Sequence, residues 1–135
     1  VGGPEGDNGL AGKKLVMDAY GPRVPIGGGA WSGKDFFKAD RAGALYARRL
    51  AKLLVMQGHA QEATVTVGWH PGAREPALLN VVGASLGQAQ RCAALLDGTL
   101  RASGERWSAC RDLVEVARWG HFTDPALPWE GFGRV

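Results

Sequence analysis

The sequence predicts an α+β fold: one mixed or antiparallel sheet with helices packed on one of its faces. Short segments with alternating apolar residues predict strands, and longer segments with apolar residues three and four positions apart predict helices. These strands and helices do not alternate as they would in a series of βαβ units. The 135 residues fit a single domain, 1–135, with no internal repeat and no dividing linker.

In the first half of the chain we predict one strand, one loop and one helix. The segment "KKLVMDAYG" (13–21) predicts a strand, and the glycine- and proline-rich residues 22–37 predict a loop. Asp40 is the predicted N-cap of a helix that runs to about Gln57 and ends at Gly58. Its apolar residues form one stripe: Ala42, Leu45, Tyr46, Leu50, Leu53 and Leu54.

The second half predicts a strand pair followed by helices. Residues 63–69 and 77–83 alternate as strands on either side of the turn "HPGAREP". Residues 87–102 predict a second helix and 106–119 a third. The aromatic-rich tail, 120–135, is predicted to be a loop that packs on the body of the domain.

Composition and charge exclude several classes of function. The chain is 45% hydrophobic and 21% charged, which is typical of a globular protein. No apolar run reaches the ~18 residues of a membrane span, and the first ten residues do not resemble a signal peptide, so we expect no membrane partner and a cytoplasmic location. Cys92 and Cys110 form neither a disulfide framework nor a metal-ligand cluster. The net charge is +3, but no basic and aromatic pattern predicts a nucleic-acid partner.

The segment "PIGGGAWSGKDFFKAD" (25–40) carries the strongest functional pattern. Its glycines let backbone N–H groups converge on an anion, and Lys34 and Lys38 add positive charge. Asp40 offers a carboxylate oxygen of the kind that Mg²⁺ binds beside phosphates. The spacing matches neither of the common nucleotide-binding glycine motifs. On this chemistry alone, an anion site and a structural glycine loop with solvated charges are about equally supported.

Three segments together resemble a known family. They are "GGPEGDNGLAGKKLVMDAYG", "GGGAWSGKDFFKADR" and, in the tail, "GHFTDPALPWE". Their order and content are similar to those of the C-terminal domain of S-adenosylmethionine synthetase (methionine adenosyltransferase), one of three similar domains in that fold. The likeness is dense over 1–41, thin over 60–118 and good again over 120–130.

The resemblance implies a site that holds ATP phosphates. The family transfers the adenosyl group of ATP to L-methionine and then cleaves the displaced triphosphate to pyrophosphate and phosphate. By position in the motifs, Lys14 and Lys34 are expected to act in catalysis and to bind phosphate. Asp7, Lys13 and Ala30 complete the expected ATP-binding set.

The same resemblance implies a methionine site and metal ions. Asp7 and Lys38 match methionine-binding positions, and Asp40 matches a Mg²⁺ ligand. The family also uses K⁺, whose ligands are expected mostly outside this chain. Two departures stand out: Lys13 replaces an arginine, whose two-pronged contact an ammonium cannot reproduce, and Trp31 replaces a phenylalanine.

The family's N-terminal and central domains are missing from these 135 residues. The chain begins with Val1, and the family's His-Pro-Asp-Lys and Gly-Ala-Gly-Asp-Gln-Gly motifs are absent from it. "WHPGARE" (69–75) has His-Pro without the Asp-Lys. We therefore expect a homodimer, a higher oligomer or a partner chain that carries the other domains, and little activity from this chain alone.

Three functions remain open from the sequence. The chain is part of a working enzyme, a non-catalytic homologue that binds ATP or polyphosphate, or a regulatory subunit that docks on a complete synthetase. The lysines and Asp40 favour the first two, because a docking subunit has no need of them.

Overall fold

The computed structural model describes residues 20–21, 23–25, 27, 30–110 and 112–132. Within these residues the fold is α+β, as predicted, with four α-helices and a two-stranded antiparallel sheet. The elements are α1 (Ala44–Met56), β1 (Thr64–Gly68), β2 (Leu78–Val82), α2 (Leu86–Ala94), α3 (Leu100–Trp107) and α4 (Leu113–Trp119). A π-helical turn, Ala39–Gly43, leads directly into α1. In this described part of the chain, no helix has the length and apolar character needed to cross a bilayer.

The strand pair predicted around the "HPGAREP" turn is confirmed. Thr64 lies opposite Val82 and Gly68 opposite Leu78. One face of the pair packs against α1 and α2 through Val65, Val67, Leu79 and Val81. Leu78 and Val82 are exposed on the other face. Most of the strand predicted at 13–21 lies outside the described residues, and Tyr20 and Gly21 are not in a strand.

The helix α1 separates two hydrophobic clusters. Tyr46, Leu50 and Leu54 belong to a cluster formed with α2 and the sheet. Leu45 belongs to an aromatic cluster on the other side, which contains Trp31, Phe36, Trp107 and Trp129. All four of these α1 residues belong to the apolar stripe predicted from the sequence, since positions three and four apart share a helix face.

The end of α1 is as predicted. Gly58 has a φ of +72°, which a residue without a Cβ adopts at little cost. Its N–H donates to the carbonyl of Val55 (3.0 Å), and the next N–H, of His59, donates to that of Leu54 (3.0 Å). These two bonds form a Schellman motif, which satisfies the last helical carbonyls.

The predicted N-cap, Asp40, is wrong. The N-cap position lies two residues earlier, at Lys38, which makes no side-chain bond to the helix, and the helical segment begins at Ala39. The Asp40 carboxylate instead accepts a hydrogen bond from the Lys34 ammonium. A charged donor nearby outcompetes the neutral backbone N–H groups that a capping carboxylate would bind.

The helix predicted over 87–102 is also wrong, because it is two helices. Thr99 is the N-cap of α3, and its side chain accepts from the N–H of Ala102 (3.1 Å). Asp97 stabilises the turn before it by accepting from the N–H of Thr99 (3.0 Å). Asp-Gly-Thr is thus a break and a new start within an otherwise helical pattern.

The third predicted helix, 106–119, is divided between α3 and α4. Trp107 and Val116 are both buried in the aromatic cluster. Nine residues apart on one straight helix, they would point to opposite sides. A break between them lets both side chains enter the same core.

The C-terminal tail packs along α1 through charged groups. Arg48 and Lys52 contact the Glu130 carboxylate, with Arg48 Nη2 and Lys52 Nζ at 2.9 and 2.8 Å from Oε2. Arg49 donates to the carbonyl oxygens of the two residues that flank Glu130, at 3.0 and 2.6 Å. The Glu130 side chain is only 5% exposed. We call Arg48, Arg49, Lys52 and Glu130 the tail clamp.

The tail clamp sets the charge state of Glu130. Burial by itself would raise the pKa of this carboxyl, but hydrogen bonds from Arg48 and Lys52 outweigh burial and hold the pKa below its ordinary value. Folding therefore favours the ionised carboxylate. Its contribution to stability is complete above the ordinary glutamate pKa of about 4.3 and is lost as the pH falls through the lower folded value.

We expect Glu130→Gln to lower the free energy of unfolding at pH 7 by about 1–3 kcal/mol, because Arg48 and Lys52 lose a charged acceptor. The difference from the wild type should narrow below pH ~4, where the wild-type carboxylate becomes protonated. Urea unfolding at several pH values measures both effects.

The matched control is Glu105→Gln. Glu105 pairs with Arg101 on the exposed surface of α3, and its loss should change stability by less than about 0.5 kcal/mol. Equal effects of the two substitutions, or a Glu130→Gln difference that does not depend on pH, would contradict the clamp.

Candidate functional site

Two buried aromatic side chains, Trp31 and Phe36, anchor the described part of the glycine-rich loop predicted at 22–37, which we call the glycine loop. Trp31 packs edge-on against the rings of His121 and Phe122, with centroids 5.1 and 5.3 Å apart. Phe36 packs against Trp107 and Trp129. The residues between these anchors, 32–35, are thereby held at the surface over a fixed aromatic floor.

A tight turn presents Lys34. The N–H of Lys34 donates to the carbonyl of Trp31 (3.1 Å), and Gly33, the third residue of that turn, has a φ of +87°. A β-turn of this kind needs a positive φ at its third residue, and glycine adopts that φ at little cost. The Asp35 carboxylate then accepts from the N–H of Phe37 (2.9 Å) and starts the next turn.

Lys34 and Asp40 form an ion pair. Lys34 Nζ lies 2.6 Å from Asp40 Oδ2, and the two side chains are 25% and 45% exposed. A lysine ammonium can bind phosphate oxygens, and a carboxylate can bind a hard cation such as Mg²⁺. Both groups remain accessible to solvent while they neutralise each other.

Arg41 lies beneath this pair and is only 3% exposed. Its Nη1 donates to the carbonyl of Lys34 (2.6 Å), and its Nε donates to His121 Nε2 (3.1 Å). The guanidinium also lies 4.0 Å above the centre of the Phe36 ring. One buried cation thus joins the loop, the helical segment and the C-terminal tail.

A cleft of about 410 Å³ opens beside Lys34. The loop and α4 line it with Ser32, Gly33, Lys34, Asp35, Arg41, Leu113 and Ala117. A second cavity, of about 340 Å³, lies between the sheet and the end of α2 and has Glu75 and Asp97 in its wall. The lining of the second cavity has two carboxylates and no cation, whereas that of the first has two cations, Lys34 and Arg41, and one carboxylate, Asp35. The first cavity is therefore the better candidate for a phosphate group.

The structure brings together only part of the predicted site. Lys34 and Asp40 are in contact, and Lys38 is exposed at the N-cap, two positions before Asp40. Ala30 is half-buried next to the Trp31 anchor. Three predicted residues lie outside the described part of the chain: Asp7, Lys13 and Lys14.

The metal prediction rests on one carboxylate. Among the described residues, no group of three His, Cys, Asp or Glu side chains could hold a metal ion. Asp40, with its exposed and hard oxygen ligand, fits Mg²⁺ as a single ligand. This fits the usual pattern in which Mg²⁺ takes one or two carboxylates together with phosphate oxygens and water.

Arg41 is a residue of the site to which the sequence assigned no role. The arginine occupies the helical position four residues before Leu45, so it lies on the buried face of the helix. A charged residue in an apolar stripe is a signal for a buried, paired charge. Its partner could not be read from the sequence, because His121 is 80 residues away.

The comparisons with known proteins agree with the motifs. The family model described as S-adenosylmethionine synthetase, C-terminal domain, matches residues 1–131. S-adenosylmethionine synthases of Deinococcus deserti and Deinococcus radiodurans are 42% and 39% identical over the whole of this chain, which spans 35% of each relative.

A solved structure, titled "Structure of an Unusual S-adenosylmethionine synthetase from Campylobacter jejuni", has a TM-score of 0.75 and 27% identity. The match covers 89% of this chain and 34% of that one. The chain therefore spans about a third of the length of these relatives. It belongs to the S-adenosylmethionine synthetase family and corresponds to the C-terminal domain of its members.

Proposed function

We propose that this chain is the C-terminal part of a methionine adenosyltransferase, which makes S-adenosylmethionine from ATP and L-methionine and cleaves the displaced triphosphate to pyrophosphate and phosphate. The observation that carries the proposal is the partly exposed Lys34 side chain, which lines the cleft and forms an ion pair with Asp40. Membership of the synthetase family supports the class of reaction.

The proposed role of the loop is to bind the triphosphate chain. Displacement at the ribose carbon leaves several negative charges on the leaving group, so fixed cations are needed where that charge develops. Lys34 would exchange the Asp40 carboxylate for phosphate oxygens. Asp40, once released, would hold Mg²⁺, which supplies further neutralisation of the phosphates.

The remaining roles follow from the matched motifs. We assign Lys13, Lys14 and the Ala30 backbone to ATP and its phosphates, with Lys14 and Lys34 as catalytic cations. Asp7 would contact both ATP and methionine, and Lys38 the methionine carboxylate. K⁺ would bind mostly through groups outside this chain.

The proposed enzyme needs more protein than this chain. The described residues leave two apolar surfaces exposed, Leu78 and Val82 on the sheet and Val114 and Trp119 on α4. We propose that a second copy, or a chain bearing the N-terminal and central domains, covers at least the sheet face. We place the assembled enzyme in the cytoplasm.

Phosphate binding can be tested on the 135-residue chain. Triphosphate and ATP with Mg²⁺ should bind more tightly than adenosine, and Lys34→Ala should weaken triphosphate binding by ~1.5–3 kcal/mol through loss of a charged hydrogen bond. Calorimetry measures the affinities. Arg91→Ala, which removes an exposed cation from α2, is the control for net charge. Equal triphosphate affinity of wild type and Lys34→Ala would refute the loop assignment.

We expect synthesis of S-adenosylmethionine to require the residues of the family's N-terminal and central domains. The chain alone should not make S-adenosylmethionine, whereas adding a chain with the N-terminal and central domains should give turnover, and Asp40→Asn should then remove most of it. Product formation followed by chromatography measures this. Triphosphate binding without turnover in the reconstituted mixture would identify the chain as a non-catalytic binding homologue. Rapid synthesis by the isolated chain would contradict the proposed division of the site.

The chain is also expected to self-associate. An exposed apolar face is a common contact surface, and Val82→Lys should reduce association by placing a charge on the sheet face. Light scattering measures the mass, with Met56→Lys, at the exposed end of α1, as the control. A wild-type monomer that stays soluble at high concentration, with no partner present, would contradict both forms of the proposal and favour a freestanding binding homologue.

A further inference from the structure

We propose that Arg41 is a positioning residue for the phosphate site. It fixes the backbone of Lys34 through one hydrogen bond and is itself held in place by a second, to His121. The inference rests on the proposed function, since it assigns the means by which Lys34 is aimed at the triphosphate.

Arg41 is buried and needs acceptors for its N–H groups. A guanidinium that is 3% exposed has lost nearly all of its hydration, and this cost is offset only when its N–H groups find acceptors. Here the planar group donates in two directions, to the Lys34 carbonyl and to His121 Nε2. These two hydrogen bonds fix the position of the backbone at Lys34.

The backbone of Lys34 is held by hydrogen bonds on both sides of the residue. Its N–H is bonded to the Trp31 carbonyl (3.1 Å) and its own carbonyl to Arg41 (2.6 Å). Both backbone polar groups of the residue are thus fixed, while its long side chain ends in a partly exposed ion pair. The side chain can change partners from Asp40 to a ligand without any movement of the backbone that aims it.

His121 is a buried acceptor for Arg41. A ring nitrogen that accepts a hydrogen bond from Arg41 Nε carries no proton, so the ring is neutral and has its proton on Nδ1. The ring is fully buried and packs on Trp31 and Trp129, with centroids 5.1 and 5.5 Å away. The Trp129 indole N–H donates to the His121 carbonyl (2.7 Å), which fixes the backbone there as well.

Lysine cannot replace arginine in this role. An ammonium on a flexible stem lacks the rigid fork that reaches the two acceptors at once. Arg41→Lys therefore keeps the charge and removes the geometry. We expect it to weaken triphosphate binding about tenfold, the scale on which small misplacements of binding groups act.

A double-mutant cycle in the 135-residue chain tests the inference. Triphosphate affinity is measured by calorimetry for the wild type, Arg41→Lys, Lys34→Ala and the double variant. If Arg41 acts through Lys34, its substitution should change the affinity less than about twofold in the Lys34→Ala background. Arg101→Lys, on the exposed surface of α3, is the matched control.

Two substitutions of His121 test the same contact if Arg41→Lys fails to fold. His121→Gln can place an amide oxygen near the position of Nε2 and should retain affinity within about threefold. His121→Phe keeps a ring but offers no acceptor, so it should weaken binding as Arg41→Lys does. Thermal melting followed by circular dichroism confirms that each variant is folded at the temperature of the titration.

The outcomes separate the two proposals. Failure of the wild type to bind triphosphate would overturn the proposed function and this inference with it. Wild-type binding with unchanged affinity in folded Arg41→Lys or His121→Phe would overturn the inference alone. A loss of equal size with and without the Lys34 side chain would also overturn it, because the effect would then not pass through Lys34.

Discussion

The packing of the C-terminal tail along α1 is the contact on which the rest of the structure depends. Arg41, Arg48, Arg49 and Lys52 all reach the tail, and their spacings of seven, eight and eleven residues place them on one side of the continuous helical segment. This docking carries Trp129 into the aromatic cluster, where it contacts Phe36 and Trp107. The glycine loop rests on that cluster. Loss of the tail would therefore remove the floor of the candidate site as well as part of the core.

The charges in this contact have a physical reason. The described part of the tail, residues 120–132, contains no helix or strand, so its buried carbonyl groups must find donors elsewhere. Arg49 and Lys52 supply those donors from the side of α1, and Glu130 places a negative charge among these cations. An apolar replacement could fill the same volume but would leave the carbonyls unsatisfied. The pairing of donors with particular carbonyls also fixes which residue of the tail lies against which turn of the helix.

Patterns within a few residues of the sequence predicted the local structure. The features that the sequence did not predict correctly depend on contacts that such patterns do not contain. The strand pair, the apolar stripe of α1 and the end at Gly58 all follow from spacing within a few residues. Asp40 was expected to cap a helix because the pattern contains no sign that Lys34 would turn back toward it. The pairing of Arg41 with His121 depends on the path of the chain between two residues 80 positions apart, which no local pattern contains. The motifs of the loop and tail indicated the family, although the partners of their residues became visible only in the fold.

The loop combines a weak interaction at its surface with strong ones beneath it. An ion pair as exposed as Lys34–Asp40 contributes at most about 1 kcal/mol, so a ligand can separate the two side chains at little cost. The hydrogen bonds of Arg41 are buried, and breaking them would leave a charge without partners in the core. The Lys34–Asp40 pair can thus be separated at little cost by the phosphate and metal ion that we propose bind there. The buried hydrogen bonds of Arg41, which hold the loop, resist breaking. This difference in burial between neighbouring charges allows one short segment to be open to a ligand and still fixed in place.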